Sequence, residues 1–314
     1  MSTNAQDAPV TAVISSWNKR AHVLANVRAL MQQTRRPREI VVVDNASSDG
    51  TAAALRAEFP IPGSPLVLIE MPHDRFGACE TFNLGFRAAT QEFVAILDDD
   101  VVLPPNWVER LLARFDREPP TTVLVTTQVI EPAMPDEYVA RADVRAERYL
   151  STFRGCGSLV RRAALLRAGG YDERFFIYGN ERDLSARLLS DGGRILFAPE
   201  VVTFHATPFG LKAGRRSLYY HVRNFWLYAF KNCAWSDVLR AALHLARKAL
   251  LGAQAGGGDA SEATGTIGLD QSLRATPGGF WIAVKATLNA LLNLPYCLKR
   301  RRVCRAPDFR LPTE

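Results

Sequence analysis

Three consecutive carboxylates, Asp98-Asp99-Asp100, follow the apolar run Phe93 to Leu97 with no spacer. Like charges at the end of a buried strand are costly unless water or a cation neutralises them. Hard divalent ions prefer carboxylate oxygens, and Mg²⁺ takes only one or two of them before completing its shell with water and substrate phosphates. The Asp98-x-Asp100 spacing suits that chemistry, with one carboxylate on the metal and the other on the metal or on a ribose hydroxyl. Asp44 closes a second apolar run, Ile40-Val41-Val42-Val43, in the same manner. A solvated acidic turn accounts for the same residues, so this motif alone leaves both readings open.

The elements that would carry these groups alternate strand and helix. Val10 to Ser15 reads as a buried strand, and Lys19 to Thr34 places Val23, Leu24, Val27, Leu30 and Met31 on one helical face. Ile40 to Val43 is a second strand. Asp49 is placed to cap a short helix over Gly50 to Glu58, which Pro60 closes. Leu66 to Ile69 predicts a third strand, Gly77 to Ala89 a helix, and Phe93 to Leu97 a fourth strand. This order predicts a parallel sheet with helices on its faces, where ligands bind at the carboxyl ends of the strands. Both acidic stretches fall at such ends.

Beyond a helix over Trp107 to Arg117 the pattern becomes mixed. Strands are expected at Val123 to Val125, Ser158 to Val160, Ile195 to Phe197 and Val201 to His205, with helices ending near Gly169 and over Asn180 to Leu189 and Ser217 to Asn232. A Gly-, Ala-, Ser- and Thr-rich linker spans residues 252–268. After it Trp281, Val284, Leu288, Leu291, Leu292 and Pro295 form one stripe, followed by Lys299-Arg300-Arg301-Arg302. The expected division is residues 1–105, residues 106–235 and a helical, basic extension over 236–314.

With 314 residues, 47% hydrophobic and 23% charged, the chain can build a substantial core and is not a disordered one. The net charge of +7 is uneven. Residues 211–314 hold 16 Lys/Arg and 6 Asp/Glu, a net of +10, which leaves the first 210 residues at −3. A nucleic-acid-binding surface would not be confined in this way. Five scattered cysteines, none in a CxxC spacing, suggest neither a disulfide framework nor a zinc site. No basic-then-apolar leader and no run of about 18 apolar residues is present, so the expectation is a cytoplasmic protein.

Taken together, Ile14-Ser15-Ser16-Trp17-Asn18-Lys19-Arg20, Val41-Val42-Val43-Asp44-Asn45-Ala46-Ser47-Ser48-Asp49-Gly50-Thr51, Gly77…Asn83-x-Gly85 and Leu97-Asp98-Asp99-Asp100 resemble the family 2 glycosyltransferases, with a bacterial rhamnosyltransferase-like cast. Gly169-Gly170-Tyr171-Asp172-Glu173-Arg174-Phe175-Phe176 and Gly179-Asn180-Glu181-Arg182-Asp183-Leu184 resemble that family's acceptor-side signature. The resemblance covers roughly residues 10 to 235 in order. It implies a GT-A fold: a Rossmann-like, mostly parallel sheet with helices on both faces, here with a C-terminal helical extension. It implies nucleotide binding in 1–105, acceptor binding in 106–235, and inverting transfer of one sugar from a nucleoside diphosphate sugar, UDP or dTDP, assisted by Mg²⁺ or Mn²⁺. Ser16, Asn18, Asp44, Asp98 and Asp99 would meet the nucleotide, and Asp100 and His205 the metal. A plain strand-end histidine is an equally good description of His205.

Inversion needs a single displacement and one carboxylate to take the acceptor's proton, and Glu181 matches that position. The family more often has Glu-Asp here, where this chain has Asn180-Glu181. Asn180 as N-cap with Glu181 and Asp183 in the first turn is also ordinary helix-start chemistry. Asp183 is expected to cap the helix and orient its neighbours. Arg216 and Arg223 are candidates for the diphosphate, or plain surface charges. The C-terminal stripe and its cations fit either a helix packed on the body or a segment lying on anionic lipid at the inner face of the cell membrane. The acceptor is expected to be a hydroxyl of a glycan, a lipid-linked glycan or a small molecule, with no nucleic-acid partner. From another class, a catalytically inactive nucleotide-sugar-binding or membrane-associated scaffold of the same fold remains the alternative, separated by turnover.

Overall fold

A computed structural model of the chain describes residues 7–60, 62–210, 214–251 and 269–311. The expected linker at 252–268 lies outside the described residues. The first half runs β1 (Ala8–Ser16), α1 (Arg20–Met31), β2 (Pro37–Asp44), α2 (Thr51–Glu58), β3 (Leu66–Glu70), α3 (Ala78–Ala88), β4 (Phe93–Asp98), β5 (Val101–Val102) and α4 (Trp107–Phe115). The second continues with β6 (Thr122–Ile130), α5 (Asp136–Ala140), α6 (Ala142–Arg145), β7 (Arg148–Leu150), β8 (Ser158–Arg161), α7 (Arg162–Arg167), α8 (Asn180–Ser190) and β9 (Arg194–His205). Then come α9 (Arg215–Asn232), α10 (Trp235–Leu251), α11 (Leu269–Ala275), α12 (Gly279–Leu292) and α13 (Leu294–Lys299).

The nine strands among the described residues form one sheet in the order β3-β2-β1-β4-β8-β6-β9-β5, with β7 also on β9. β1 pairs parallel with β2 and β4, β2 with β3, and β6 with β9. β8 runs antiparallel between β4 and β6 and so joins the two halves into one surface. Successive strand residues face opposite sides. Val13, Val41, Val43 and Ile96 therefore pack with Phe82, Phe86, Leu184 and the C-terminal helices. Ile14, Ile40, Val42 and Leu97 pack instead with Val23, Val27, Leu30, Leu55, Trp107 and Leu111. Gly85 lets α3 approach β1, since a Cβ there would lie 2.3 Å from Val13 Cγ1.

Three features differ from the sequence expectation, and a fourth bears on the C-terminal stripe, for which two readings stood open. Ile195–Phe197 and Val201–His205 belong to one strand, β9, whose register against β6 shifts between Ala198 and Val202, around Pro199. Strand β6 is nine residues long and runs to Ile130 rather than ending at Val125. Gly179, in the left-handed region at φ 71°, holds the cap position of α8, so Asn180 is the first helical residue rather than the N-cap. In the C-terminal region the large apolar stripe is not the packed one. α12 rests on α9 through Ile282, Ala286 and Ala290, while Trp281 and Leu292 stay 71% and 81% exposed. Small side chains let two helix axes approach closely, and the bulky residues are left outside.

Candidate functional site

The parallel register sets the strand ends side by side. Ser16 lies opposite Asp44, and Ser15 opposite Asp98. Directly after Asp100 the chain forms the two-residue β5, whose Val101 pairs with His205 at the end of β9. The Ala206 N–H also donates to the Asp100 carbonyl at 3.0 Å. This antiparallel clip brings together groups that lie over a hundred positions apart in sequence. His205 Nε2 is 3.1 Å from Asp100 Oδ1 and 3.5 Å from Asp98 Oδ2. One donor atom each from Asp98, Asp100 and His205 lie within 4.8 Å of one another.

Glu131, the residue after β6, approaches His205 Nδ1 at 2.9 Å. An Nδ1–H donated to that carboxylate fixes the ring with Nε2 toward the two aspartates, where a protonated Nε2–H donates to Asp100 and a deprotonated Nε2 would be a metal ligand; a carboxylate on the second nitrogen is the arrangement that supports histidine ligands in metal sites. Sequence reading missed Glu131 because β6 was expected to stop five residues before Ile130; an acid at a strand end, as at Asp44 and Asp98, was the available signal. Lys19 was also missed. Its Nζ lies 3.1 Å from Asp100 Oδ2, as does the Thr207 hydroxyl.

Crowded acids respond electrostatically. Depth in the cleft pushes the Asp98 carboxyl up to about 6, against the pull of His205 and with the push of Asp100, although 41% of its side chain remains accessible. Burial and both neighbouring aspartates raise Asp99 to about 7. Burial also opposes ionisation of Asp100, but hydrogen bonds from His205 and Lys19 outweigh it and hold that carboxyl well below the ordinary range. Burial disfavours the His205 cation, yet Asp100, Glu131 and Asp98 raise it to about 10. The carboxylates thus favour positive charge among them, here the His205 cation and Lys19; a divalent ion would take that place by displacing the Nε2 proton.

The expected nucleotide residues reach the same sheet edge. Asp44 is 2% exposed and folded back, accepting from the Ser47 hydroxyl and from Ser47 N–H at 3.3 Å. Asn18, at φ 53°, accepts from Ser48 N–H at 2.8 Å, and its own N–H donates to Ser47 Oγ at 2.8 Å. These bonds tie the loop after β1 to the loop after β2. Ser16 is buried, with no hydrogen-bond partner for its hydroxyl. Asp99 Oδ2 accepts from the Trp17 N–H at 3.4 Å.

Glu181 enters from the far half. The segment before it carries positive φ at Phe176 (65°), Tyr178 (67°) and Gly179 (71°), a conformation that side-chain-bearing residues adopt only under restraint. The Asn224 side-chain amide supplies that restraint, lying 2.9, 2.7 and 2.8 Å from the carbonyls of Phe175, Ile177 and Tyr178. Glu181 Oε1 accepts from Asn180 Nδ2 at 3.0 Å and lies over Gly155, where an added Cβ would come within 2.6 Å of it. Burial pushes the Glu181 carboxyl up, and its charge in turn contributes to the upward shift of Asp98.

Three expectations change here. Asp183 does not cap α8; it is fully buried, 2.6 Å from Lys231 Nζ and 2.9 Å from Arg187 Nη2. Burial opposes its ionisation, but Arg187 and Lys231 hold its carboxyl down. Arg223 is spent on structure rather than presented to a diphosphate. Its Nε donates to Asn289 Oδ1 at 2.7 Å and its Nη1 to the Arg174 carbonyl at 2.8 Å. Arg216 stays exposed, its guanidinium 5.6 Å from the Phe176 ring centre, beside the Glu181 loop. Lastly, Lys299 and Arg300 of the basic run stay exposed, Arg300 with its guanidinium 4.7 Å from the Tyr296 ring centre, whereas Arg301 donates to the carbonyls of Phe230 and Cys233, and Arg302 pairs with Asp191.

A Rossmann-like sheet with an Asp-x-Asp and histidine cluster at its carboxyl edge, extended by a mixed second half, is the GT-A class of fold. The sequence profile of glycosyl transferase family 2 matches residues 11–175, and the chain belongs to that family. Among curated proteins it is similar to the pre-mycofactocin glycosyltransferase of Mycobacterium tuberculosis, 28% identical over 211 residues, covering 62% of this chain and 42% of that protein. It is similar to the undecaprenyl-phosphate 4-deoxy-4-formamido-L-arabinose transferase of Serratia proteamaculans, 28% identical over 164 residues, covering 51% and 44%. The chain spans less than half the length of these relatives. Among solved structures, the mannosyltransferase PcManGT from Pyrobaculum calidifontis, in complex with GDP-Man and Mn²⁺, aligns with a TM-score of 0.56 at 21% identity, covering 92% of this chain and 78% of that one. S. aureus TarS residues 1-349, in complex with UDP-GlcNAc, aligns with a TM-score of 0.58 at 13% identity, covering 92% and 90%. Both likenesses establish the fold. No helix among the described residues is long and apolar enough to cross a membrane.

Proposed function

We propose that the chain is an inverting glycosyltransferase that moves a single hexose-type sugar from a nucleoside diphosphate sugar to an acceptor hydroxyl. The observation that carries this reading is the convergence of Asp98, Asp100 and His205 within 4.8 Å at the sheet's carboxyl edge, with Glu181 close enough for its charge to raise the Asp98 carboxyl. Asp100 and His205, with Asp98 beside them, would hold Mg²⁺ or Mn²⁺, which when bound supplies a positive charge for the diphosphate as it leaves. Ser16, Asn18, Asp44 and Asp99 line the side where the nucleotide would sit, in residues 1–105, and residues 106–235 face the acceptor. Arg216 is kept as a candidate for the diphosphate.

Glu181 is the proposed base. Its burial favours the neutral acid, so its carboxylate is a stronger proton acceptor than a solvated one. In the displacement the acceptor oxygen bonds to the anomeric carbon, the bond from that carbon to the diphosphate oxygen breaks with its electron pair, and the hydroxyl proton passes to Glu181. The Asn180 amide on Oε1 orients the carboxylate. UDP- or dTDP-sugars are the proposed donors. The acceptor is proposed to be a glycan, lipid-linked or small-molecule hydroxyl, and the undecaprenyl-phosphate in a relative's name supports the lipid-linked class. The C-terminal cations add an anionic membrane surface as a proposed partner, at the inner face of the cell membrane.

The test is thermal stability against UDP-, dTDP- and GDP-sugars with and without Mn²⁺ or Mg²⁺, followed by turnover. A metal-dependent rise with one donor, lost in Asp100→Ala, is expected. Glu181→Gln should keep that rise and lose transfer by a factor on the order of 100 to 10,000. No rise with any donor overturns the donor site. A rise without turnover in the unaltered chain replaces the enzyme by a nucleotide-sugar-binding scaffold.

A further inference from the structure

Helix α12 offers solvent the residues that a packed helix would hide. Trp281, Leu288 and Leu292 are 71%, 56% and 81% exposed, and Phe280 and Leu291 are exposed beside them. Trp281, Lys285, Leu288 and Leu292 recur at i, i+4, i+7 and i+11, which puts them on one face. The other side is already used: Ile282, Ala286 and Ala290 are buried against α9. The face is therefore a surface with large apolar side chains, not a core face short of a neighbour.

Its charge says what covers it. Between Ser272 and Pro307 the chain has seven Lys or Arg residues and no Asp or Glu. Arg301 and Arg302 bond to the body. Lys285 lies within the apolar face, and exposed Lys299 and Arg300 follow at the end of α13. Indole and phenyl rings with lysines and no acids match an anionic lipid surface, where rings enter the headgroup zone and lysine stems reach outward to phosphates. A second copy fits poorly, because a two-fold contact would set this cationic patch against itself. With 14 residues, α12 is too short to span the hydrocarbon layer and would lie in its surface.

We infer that α12 is an in-plane docking helix for an anionic membrane, with Trp281, Leu288 and Leu292 in the interface and Lys285, Lys299 and Arg300 at lipid phosphates. The contact has a consequence for the site, which rests on the transferase reading above. Asn289 on α12 accepts from Arg223, and Arg223 donates to the Arg174 carbonyl at the root of the Glu181 loop. A docked α12 thus holds the acceptor side in a fixed attitude to the bilayer, as an acceptor anchored in lipid requires.

Flotation of the full chain with equimolar phosphatidylcholine–phosphatidylglycerol vesicles, against phosphatidylcholine alone, tests the surface without any substrate. Binding to the mixed vesicles that weakens as salt is raised is expected. Trp281→Ser with Leu288→Ser and Leu292→Ser should abolish it. Lys285→Ser with Lys299→Ser and Arg300→Ser should weaken it about fivefold per charge, on the order of a hundredfold together. Unchanged circular dichroism and melting temperature would establish that both variants fold. No flotation, or flotation that both folded variants retain, overturns the inference. So does a concentration-dependent dimer that the apolar variant dissolves in the absence of flotation, which would assign the face to a second copy. Flotation together with a failed donor response would sink the transferase reading and leave the docking surface standing.

Discussion

Replacing Lys231 by methionine should remove a large fraction of the stability of this fold. Its ammonium is 3% exposed and lies 2.5 Å from Asp172 Oδ2 and 2.6 Å from Asp183 Oδ1, two carboxylates that are 7% and 0% exposed. Methionine keeps most of the volume but takes away the cation that two buried anions share. Arg187 and Asn232 remain on Asp183, and Tyr296 and the Arg174 N–H on Asp172. Breaking one partner out of such a set costs about 3–5 kcal/mol, against a typical total of roughly 5–15 kcal/mol. Urea denaturation followed by circular dichroism reads the loss directly. The double variant Lys231→Met with Asp183→Asn should be more stable than Lys231→Met alone, since one of the two anions is gone. pH gives an independent check. The folded Asp183 carboxyl is depressed, so its contribution is complete above the unfolded value of about 4 and is lost as pH falls through the lower folded value. Anions that lack the shared cation in Lys231→Met take up protons at higher pH than those that keep it. The gap between the two proteins should therefore narrow as pH drops from about 5 toward 3. A loss under about 1 kcal/mol, or a gap that does not change with pH, would refute the reasoning.

Two further outcomes follow from the site. Gly155→Ala puts a Cβ where Glu181 Oε1 now lies, 2.6 Å away, so turnover should fall by at least tenfold while donor-induced stabilisation stays; equal turnover in the two proteins would mean that Glu181 acts from another position. Glu131→Gln keeps a hydrogen-bonding group at His205 Nδ1 but removes its charge, and Mn²⁺ affinity measured by calorimetry should drop about 10- to 100-fold, with an unchanged affinity arguing against His205 as a ligand.

The sequence alone carried the first half of the fold because its signals are local. Strands such as Ile40–Val43 and Phe93–Leu97 are apolar throughout, as buried parallel strands must be, and each runs into an acid that marks the carboxyl edge. The Asp98-x-Asp100 spacing and the family likeness were legible on the same terms. What only the tertiary structure decided depends on register and on surroundings. A two-residue strand such as β5 has no periodicity to read, yet its pairing with β9 is what carries His205 to Asp100. Glu131 stayed hidden because the end of β6 is set by its pairing with β9, where Ile130 meets Phe204. Asp183 and Arg223 have ordinary chemistry for a helix start and a diphosphate contact, but burial beside Lys231 in one case and Asn289 in the other commits them to structure. The C-terminal stripe is the same lesson in reverse. Periodicity identified a coherent apolar face, and periodicity is blind to which face has a neighbour; the alanines of α12 were the ones that fitted α9.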